Sequence, residues 1–269
     1  MKGIIRNINV DDPCFHMRND ESKAKQLYDD IAEVYHAARV NKEKFFNEFL
    51  EVPSTLSMLN GIKGKKVLDL GCGTGIYTKI MKRSGAKVYG LDISQSMLDI
   101  AKREVKGVEF RIGSAYRLPY KPNTFDLVLS ALVIEHLTDT GRAFKEVNRV
   151  LKKDGTFIFS LHNPVISATE AYKGRKSEPL RIFINYFDEG MRNQHWNYVR
   201  RGNPRVTVSS LHITYQTLIR TILSSGFSIE DYVDSRPIQA GKKADPKAYA
   251  LTSNMPYFCV FKVRKRFSP

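Results

Sequence analysis

The chain has 269 residues, 42% hydrophobic and 26% charged, an ordinary balance for a globular domain able to bury a sizeable core. No run approaches eighteen apolar residues and residues 1–6 hold no signal-like apolar region, so the sequence predicts no membrane span and a cytoplasmic location. The formal charge of +15 favours anionic partners, but Lys and Arg are spread along the whole chain, and Cys14, Cys72 and Cys259 show neither metal-ligand spacing nor a disulfide framework.

Residues 1–21 lack periodicity and read as an arm. From Glu21 onward Ala24, Leu27, Tyr28, Ile31, Val34, Tyr35 and Ala38 recur in steps of three and four, which predicts an amphipathic helix. A second helix is predicted from Lys42 to Glu51, ahead of Pro53. Val67, Leu68 and Leu70 then form the short apolar run of a strand buried on both faces. Gly71, Gly73 and Gly75 allow a sharp turn in which backbone passes close to a ligand. Ile76–Arg83 reads as a helix starting with unpaired N–H groups. Strand, glycine loop and helix in that order open a nucleotide-binding α/β domain. A dinucleotide fingerprint reads G-x-G-x-x-G. Here the third glycine comes one residue early and Asp69 precedes the first by two, an acid suited to a cationic group rather than a diphosphate.

Lys87–Asp92 reads as a second strand ending in an acid, which can accept both hydroxyls of a ribose. Ser94 is the expected N-cap of the next helix, whose inner face holds Met97, Leu98 and Ala101. Val108–Ile112 is a third strand, followed by a loop from Gly113 to Tyr120. Asn123–Ser130 gives a turn and a central fourth strand, which Ala131–Leu137 continues into a loop facing the ligand crevice. Ala143, Phe144, Val147, Val150 and Leu151 mark a helix ending in Lys152-Lys153-Asp154-Gly155, with cations in its last turn and a glycine beyond it. Thr156–Leu161 is a fifth strand, closing in His162-Asn163-Pro164.

Residues 165 to about 212 break this alternation. Tyr172, Phe183, Tyr186, Phe187, Trp196 and Tyr198 interleave with Lys173, Arg175, Lys176, Arg200 and Arg201, around Gly190, Gly202 and Pro204. An insertion here would sit above the carboxyl ends of the strands as a lid. Single-stranded nucleic acid is the rival occupant for such a mixture of rings and cations. His212–Gly226 reads as a helix, Phe227–Val233 and Tyr257–Val263 as strands, and 234–256 as a loop.

Asp69-x-Gly71-x-Gly73-x-Gly75 after a strand resembles motif I of the class I S-adenosylmethionine-dependent methyltransferases. The loop Gly113–Tyr120, the Phe125-Asp126-x-Val128 strand, the run from Arg149 to Pro164 and the closing Ser224–Glu230 with Pro256–Lys262 resemble later stretches of that family. The resemblance runs from about Ala24 to Lys265 and is strongest from Lys66 to Pro164. It implies a Rossmann-like α/β fold: a doubly wound seven-stranded sheet, mostly parallel with an antiparallel last strand, with N-terminal helices and an inserted lid. The implied division is an arm and capping helices at 1–60, a cofactor-binding core at 61–164, the lid at 165–212 and a closing helix with the last strands at 213–269.

It further implies S-adenosyl-L-methionine as cofactor, S-adenosyl-L-homocysteine as product and in-line methyl transfer, with no metal. By the same resemblance, Gly71, Cys72, Gly73, Thr74 and Gly75 approach the cofactor, Asp69 faces its amino-acid end and Asp92 takes the ribose. Ile93, Met97, Ser114, Ala115 and Tyr116 surround the adenine, and Tyr35, in Tyr28-Asp29-x-x-Ala32-x-x-Tyr35, and Ala131 complete the contacts. Ser114 stands where the family usually has an aspartate, so a neutral acceptor replaces a charged one. His136 and His162 are the candidate general bases, with Glu135, His195 and His212 behind them. The acceptor is read as a small molecule, an anionic one being left open by the charge. RNA methylation on the same fold is the alternative, followed by a nicotinamide-dependent oxidoreductase and by cofactor binding for regulation alone. Nothing in the sequence indicates an oligomeric state.

Overall fold

Leu68 and Leu70 point into the core on one face of the central strand and Val67 into the core on the other, and all three are buried. The computed structural model that shows this describes residues 13–173, 179–196 and 206–266, with side chains from Glu21 onward except at 171–182 and 194–205. Arg175, Lys176, Tyr198, Arg200, Arg201, Gly202 and Pro204 lie outside the described residues, as do the side chains of Cys14, Tyr172, Lys173, His195 and Trp196.

Helix α1 (Pro13–Val40) and α2 (Val52–Met58) precede β1 (Lys66–Leu70), α3 (Ile76–Arg83), β2 (Lys87–Asp92), α4 (Gln95–Glu104) and β3 (Glu109–Ile112). Next come β4 (Phe125–Ala131), α5 (Thr140–Val150), β5 (Leu151–His162) and α6 (Pro164–Ser167). Two antiparallel hairpins follow, β6 (Thr169–Lys173) with β7 (Pro179–Phe183) and β8 (Gly190–Trp196) with β9 (Val206–His212). The chain closes with α7 (Tyr215–Ser224), β10 (Phe227–Asp234), α8 (Gln239–Ala244), α9 (Pro246–Ser253) and β11 (Phe258–Lys265).

Seven strands form one sheet in the order β10-β11-β5-β4-β1-β2-β3, parallel except that β11 runs antiparallel to both neighbours. This is the doubly wound sheet that the motifs imply. The winding reverses between β1 and β4, which places the ligand crevice outside their carboxyl ends. Phe144 and Val147 of α5 and Leu218 and Ile222 of α7 cover one face, Met58 of α2 and Tyr77 and Met81 of α3 the other. Among the described residues no helix is long and apolar enough to cross a membrane, and no cluster of three or more His, Cys, Asp or Glu is placed to hold a metal ion.

Several expected boundaries move, each for a local reason. Helix α1 starts at Pro13, well inside the expected arm, because a proline's fixed φ suits the first helical position. Pro53 does not end the second helix. Asn47–Glu51 forms a π turn that runs into α2, and this wider turn takes up the misfit of a ring that would crowd the carbonyl four residues back. Lys152-Lys153-Asp154-Gly155 does not close a helix either. α5 stops at Val150 and these residues begin β5, where Asp154 and not the glycine takes positive φ (58°). Gly155 is needed for room, since a Cβ there would lie 2.9 Å from the Lys152 carbonyl oxygen.

His212 ends β9 rather than opening a helix, and Thr214 caps α7 by accepting from the Thr217 N–H. The segment 234–256 is not a plain loop: Asp245 caps α9 by accepting from the Ala248 N–H at 2.9 Å, and Pro246 occupies its first turn.

Phe159 is fully buried in the larger core, stacked on Phe261 at 5.3 Å and 5.0 Å from Phe144. Phe159→Ala should therefore lower unfolding free energy by about 3–5 kcal/mol in urea titrations. A loss below about 1 kcal/mol would mean that the two stacked strands do not carry this core.

Candidate active site

The loop after β1 is shaped by close approach. Gly71 has φ 73°, and a Cβ on it would sit 2.2 Å from Val133 Cγ2, so only glycine fits. The N–H groups of Gly71 and Cys72 both donate to the Leu91 carbonyl, at 2.7 and 3.0 Å, and that of Gly75 donates to Cys72. The Gly73 N–H donates to Asp92 Oδ2 at 2.8 Å. These four amides are committed within the loop and to β2, so the loop is not a cradle of free donors such as a diphosphate requires. That favours a cationic group near the loop.

Asp69 and Asp92 end neighbouring strands beside this loop, and both are buried. Burial pushes the Asp69 carboxyl up to about 7; the Thr78 hydroxyl bonded to it works against that shift, and the nearby Asp92 adds to it. Burial likewise raises Asp92, although backbone N–H groups of Ser94 and Gly73 hold its charged form. Oδ1 accepts from Ser94 N–H at 2.9 Å and Oδ2 from Gly73, which leaves each oxygen a further lone pair.

A cavity of about 560 Å³ opens over these acids, within the range of small-ligand sites. Asp69, Gly71, Cys72, Gly73, Thr74 and Asp92 form one part of its wall, and Tyr35, Ile93, Met97, Ala115 and Ala131 another. Gly75, Ser114 and Tyr116 do not line it. Gly75 is the left-handed N-cap residue of α3, with φ 85°. The Tyr116 hydroxyl turns inward to accept from the Asp139 N–H at 3.2 Å. Ser114 is hydrogen-bonded to the carboxylate of Glu21, and it is Glu21, from α1, that reaches the cavity wall. An acid is thus present near the expected position, contributed by a different element. Asp29 fixes that element, since its Oδ1 accepts from the Ser94 hydroxyl (2.6 Å) and the Ser96 N–H (3.1 Å) and ties α1 to α4.

The two candidate bases differ sharply. His136 is half-buried on the same cavity wall, with Nδ1 3.1 Å from the Ser209 carbonyl and Nε2 2.9 Å from the Tyr28 hydroxyl. A carbonyl only accepts, so Nδ1 carries the proton and Nε2 accepts from Tyr28. Burial lowers its pKa and keeps it neutral. Both nitrogens are occupied, and His136 works as a brace between α1 and β9. His162 keeps 16% of its side chain exposed, against the cavity. It lies 5.2 Å from the Phe258 ring, and Glu135 Oε2 is 2.8 Å from its Nδ1 at a bent approach. The same oxygen accepts the His162 main-chain N–H at 2.7 Å. Burial pushes Glu135 up, but the His162 contacts outweigh it and hold the carboxyl below its ordinary value.

His212 is not on the cavity wall. Its nitrogens meet the Ser167 hydroxyl and the Tyr186 carbonyl, at 2.7 and 2.9 Å.

Sequence reasoning missed a second part of the wall. Phe45, Phe46, Leu132, Tyr257 and Phe258 enclose an apolar chamber beyond the acids, with the Phe46 and Tyr257 rings 4.6 Å apart. Leu132 holds the unusual φ of 55°, fixed by its N–H donating to Ser160. Below, the buried Glu51 carboxylate accepts from the hydroxyls of Thr55 (2.8 Å), Tyr77 (2.7 Å) and Ser160 (2.6 Å). The left-over signal was the position of Arg39, a cation four residues after Tyr35 beside the apolar stripe.

A family model described as a methyltransferase domain matches residues 68–159. The chain is 28% identical over 251 residues to an uncharacterised protein of Haemophilus influenzae, covering 88% of this chain and 95% of that one. It is 33% identical over 138 residues to the demethylmenaquinone methyltransferase of Thermotoga maritima, over 50% of this chain and 59% of the relative, so it spans little more than half of that protein. The solved structure of an S-adenosylmethionine-dependent methyltransferase from Mesorhizobium loti superposes with a TM-score of 0.68 at 28% identity, covering 80% of this chain and 97% of the other.

Asp69 makes the unliganded protein pH-sensitive. Unfolded, its carboxyl ionises near 3.8, whereas in the fold it keeps its proton up to about 7. Between these values unfolding releases a proton, so stability falls as pH rises, and above the folded value the loss is constant. Asp69→Asn should stabilise the unliganded chain by a margin that grows by about 1.4 kcal/mol per pH unit from pH 4 to 7 and then levels off. Urea midpoints at pH 5 and 8 read this out, and a gain independent of pH would show that Asp69 is not held protonated.

Proposed function

Because the chain belongs to the class I S-adenosylmethionine-dependent methyltransferases, we propose that it methylates a small, largely apolar acceptor held in the aromatic chamber. The observation that carries this reading is the continuity of one cavity from the two buried acids to a chamber walled by Phe45, Phe46, Tyr257 and Phe258. The relative named for demethylmenaquinone fits a ring-bearing acceptor of that kind. The residues present suit the cofactor, since a tight glycine turn, an acid for its amino group and an acid with spare lone pairs for its ribose all line one cavity.

Bound S-adenosylmethionine supplies a methyl group on a sulfonium that activates its own departure. Asp69 holds the amino-acid end and Asp92 the ribose. Ile93, Met97 and Ala115 pack on the adenine, with Glu21 taking the amino-group contact that Ser114 cannot make alone. Positioning is the main service, since an acceptor atom held in line within a dry pocket needs little further help. Tyr35 and the loop from Gly71 to Thr74 fix the cofactor from the other side.

His162 removes the acceptor's proton where one must leave. Glu135 orients its ring and steadies the charge that the ring gains. The segment between α6 and α7 serves as the lid that keeps water out, a reading supported by β9, which is held to α1 through His136. The lid corresponds to residues 165–212, and the activity is assigned to the cytoplasm.

Methyl-labelled cofactor, incubated with the protein and a fractionated cell extract, should label the small-molecule fraction. Label appearing in RNA instead would overturn the choice of acceptor. With that fraction as substrate, His162→Gln should lower turnover by about 100-fold or more while leaving S-adenosylhomocysteine affinity nearly unchanged. Unaltered turnover removes His162 from the chemistry.

A further inference from the structure

A second cleft, of about 200 Å³, lies at the opposite end of the sheet, where the parallel strands begin. Lys65 lines it just ahead of β1, Lys152 and Lys153 from the start of β5, and Lys262 and Arg264 from the end of β11, against the carboxylates of Asp126 and Asp154. Asp126 is already taken, since Oδ1 accepts from Lys152 Nζ at 2.7 Å and Oδ2 from the Lys66 N–H at 2.8 Å. Arg264 is engaged by Glu230 and by the Asp154 carbonyl. Lys65 and Lys262 are in no ion pair among the described residues, and Lys262 is half-buried in the cleft. The charge continues sideways. Lys66 and Lys87, both exposed, open β1 and β2, whose starts are joined by the Lys87 N–H donating to the Lys65 carbonyl at 2.8 Å. The strands β11, β5, β4, β1 and β2 are neighbours in the sheet. At a spacing of about 4.8 Å, the cations therefore follow about 19 Å of one edge. Helix dipoles explain the basic residues in the last turns of α3 and α4. Strands carry only small net dipoles, so none draws lysines to the starts of β1, β2 and β5. Like charges this close repel one another and oppose folding, a cost that a bound polyanion removes.

We propose that this edge is a docking surface for the phosphate backbone of a nucleic-acid strand, with one phosphate seated in the cleft against Lys65 and Lys262. Lysine is a flexible point charge that takes a phosphate without imposing a fixed geometry. A protein partner fits the edge poorly. Protein interfaces are depleted in lysine and anchored by aromatic side chains, and among the described residues no exposed large apolar side chain lies on these five strands. A bilayer is flat, whereas Lys262 is reached only inside the cleft. With no exposed ring on these strands to stack on a base, the contact is to backbone alone and is independent of sequence. Lys65 and Asp69 stand at opposite ends of β1, about 13 Å apart at about 3.3 Å per residue. The docked strand is thus a partner held at the far end of the sheet from the methyl-transfer cavity, not the methyl acceptor, and the inference stands apart from the cofactor assignment.

The test is fluorescence anisotropy on the purified full chain with labelled oligouridylate and oligothymidylate of about 20 nucleotides, between about 50 and 200 mM KCl. The two should bind within about 3-fold of each other. The logarithm of the dissociation constant should rise with that of salt at a slope of about 3, as for about four neutralised phosphates of a single strand. Lys65→Glu, Lys153→Glu and Lys262→Glu together should weaken binding by about 30-fold or more and lower the slope by about 2. Should that variant not fold, glutamine at the same three positions carries the comparison, with an expected loss of about 10-fold. The control reverses the exposed Lys242, Lys243 and Lys247, on α8 and α9 beyond the carboxyl end of β10. It changes the net charge equally and should cost less than about 3-fold. Equal losses from the two triple variants overturn the proposal, as does a preference above about 10-fold for one oligonucleotide. No binding by the unaltered protein at the lowest salt also overturns it. So does retention on phosphatidylserine vesicles, sensitive to the same three lysines, without binding of either oligonucleotide.

Discussion

Two carboxylates buried side by side, Asp69 at the end of β1 and Asp92 at the end of β2, constrain everything built around them. Among the described residues, neither is paired with a basic side chain. Asp69 has one hydroxyl, and Asp92 has backbone amides. Such an arrangement is unfavourable without a ligand, because burial and mutual repulsion both oppose ionisation. Proteins retain strain of this kind where a ligand relieves it. The loop geometry follows. Gly73 brings its N–H to Asp92 with a left-handed φ of 50°, and Gly71 passes so close under Val133 that a side chain has no room there. Gly90 belongs to the same constraint. It pairs with Asp69 across the strands, and a Cβ there would meet the Phe110 ring at 2.4 Å.

The same economy separates this loop from one that binds a dinucleotide. A pyrophosphate site needs N–H groups pointing outward, whereas here four of the amides close the turn and hold Asp92. With its donors spent and an acid at its base, the site prefers positive charge. Asp29, by bonding Ser94 and Ser96, sets where the N-terminal helix α1 sits against α4.

What the sequence disclosed follows from how each part is encoded. Parallel strands buried on both faces read as continuous apolar runs, so β1, β2 and β4 stood out, and the Asp69–Gly75 turn combines residues for which few alternatives work. Boundaries were less legible where backbone geometry overrode propensity: the π turn ahead of Pro53 and the left-handed Asp154 are local backbone solutions that apolar periodicity does not encode. The chamber was illegible for a different reason. Phe46, Leu132 and Tyr257 come from three remote segments, and no local periodicity distinguishes a ring that lines a cavity from one that fills a core. Asp245-Pro246 is the counter-example, a capping acid followed by proline that announces a helix start in plain sequence.

The two histidines show why position along a strand is insufficient to assign chemistry. Both follow central strands at the crevice. His136 lies in a short helical turn with its nitrogens committed to Tyr28 and Ser209, and protonation would break the bond it accepts from Tyr28. His162 is still on the last residue of β5, where the regular strand carries its ring to the cavity and Glu135 meets it from the preceding loop. One carboxylate oxygen contacts both the main-chain N–H and the Nδ1 of His162, so backbone and ring are referenced to the same atom. The main-chain bond is well formed, whereas Nδ1 meets the carboxylate without a hydrogen bond, so the contact to the ring is one of charge. In the proposed chemistry, Nε2 is then the nitrogen that would take the acceptor's proton. The rigid sheet supplies the exchangeable site and the cap supplies the brace, and the division follows from which histidine has a neighbouring carboxylate.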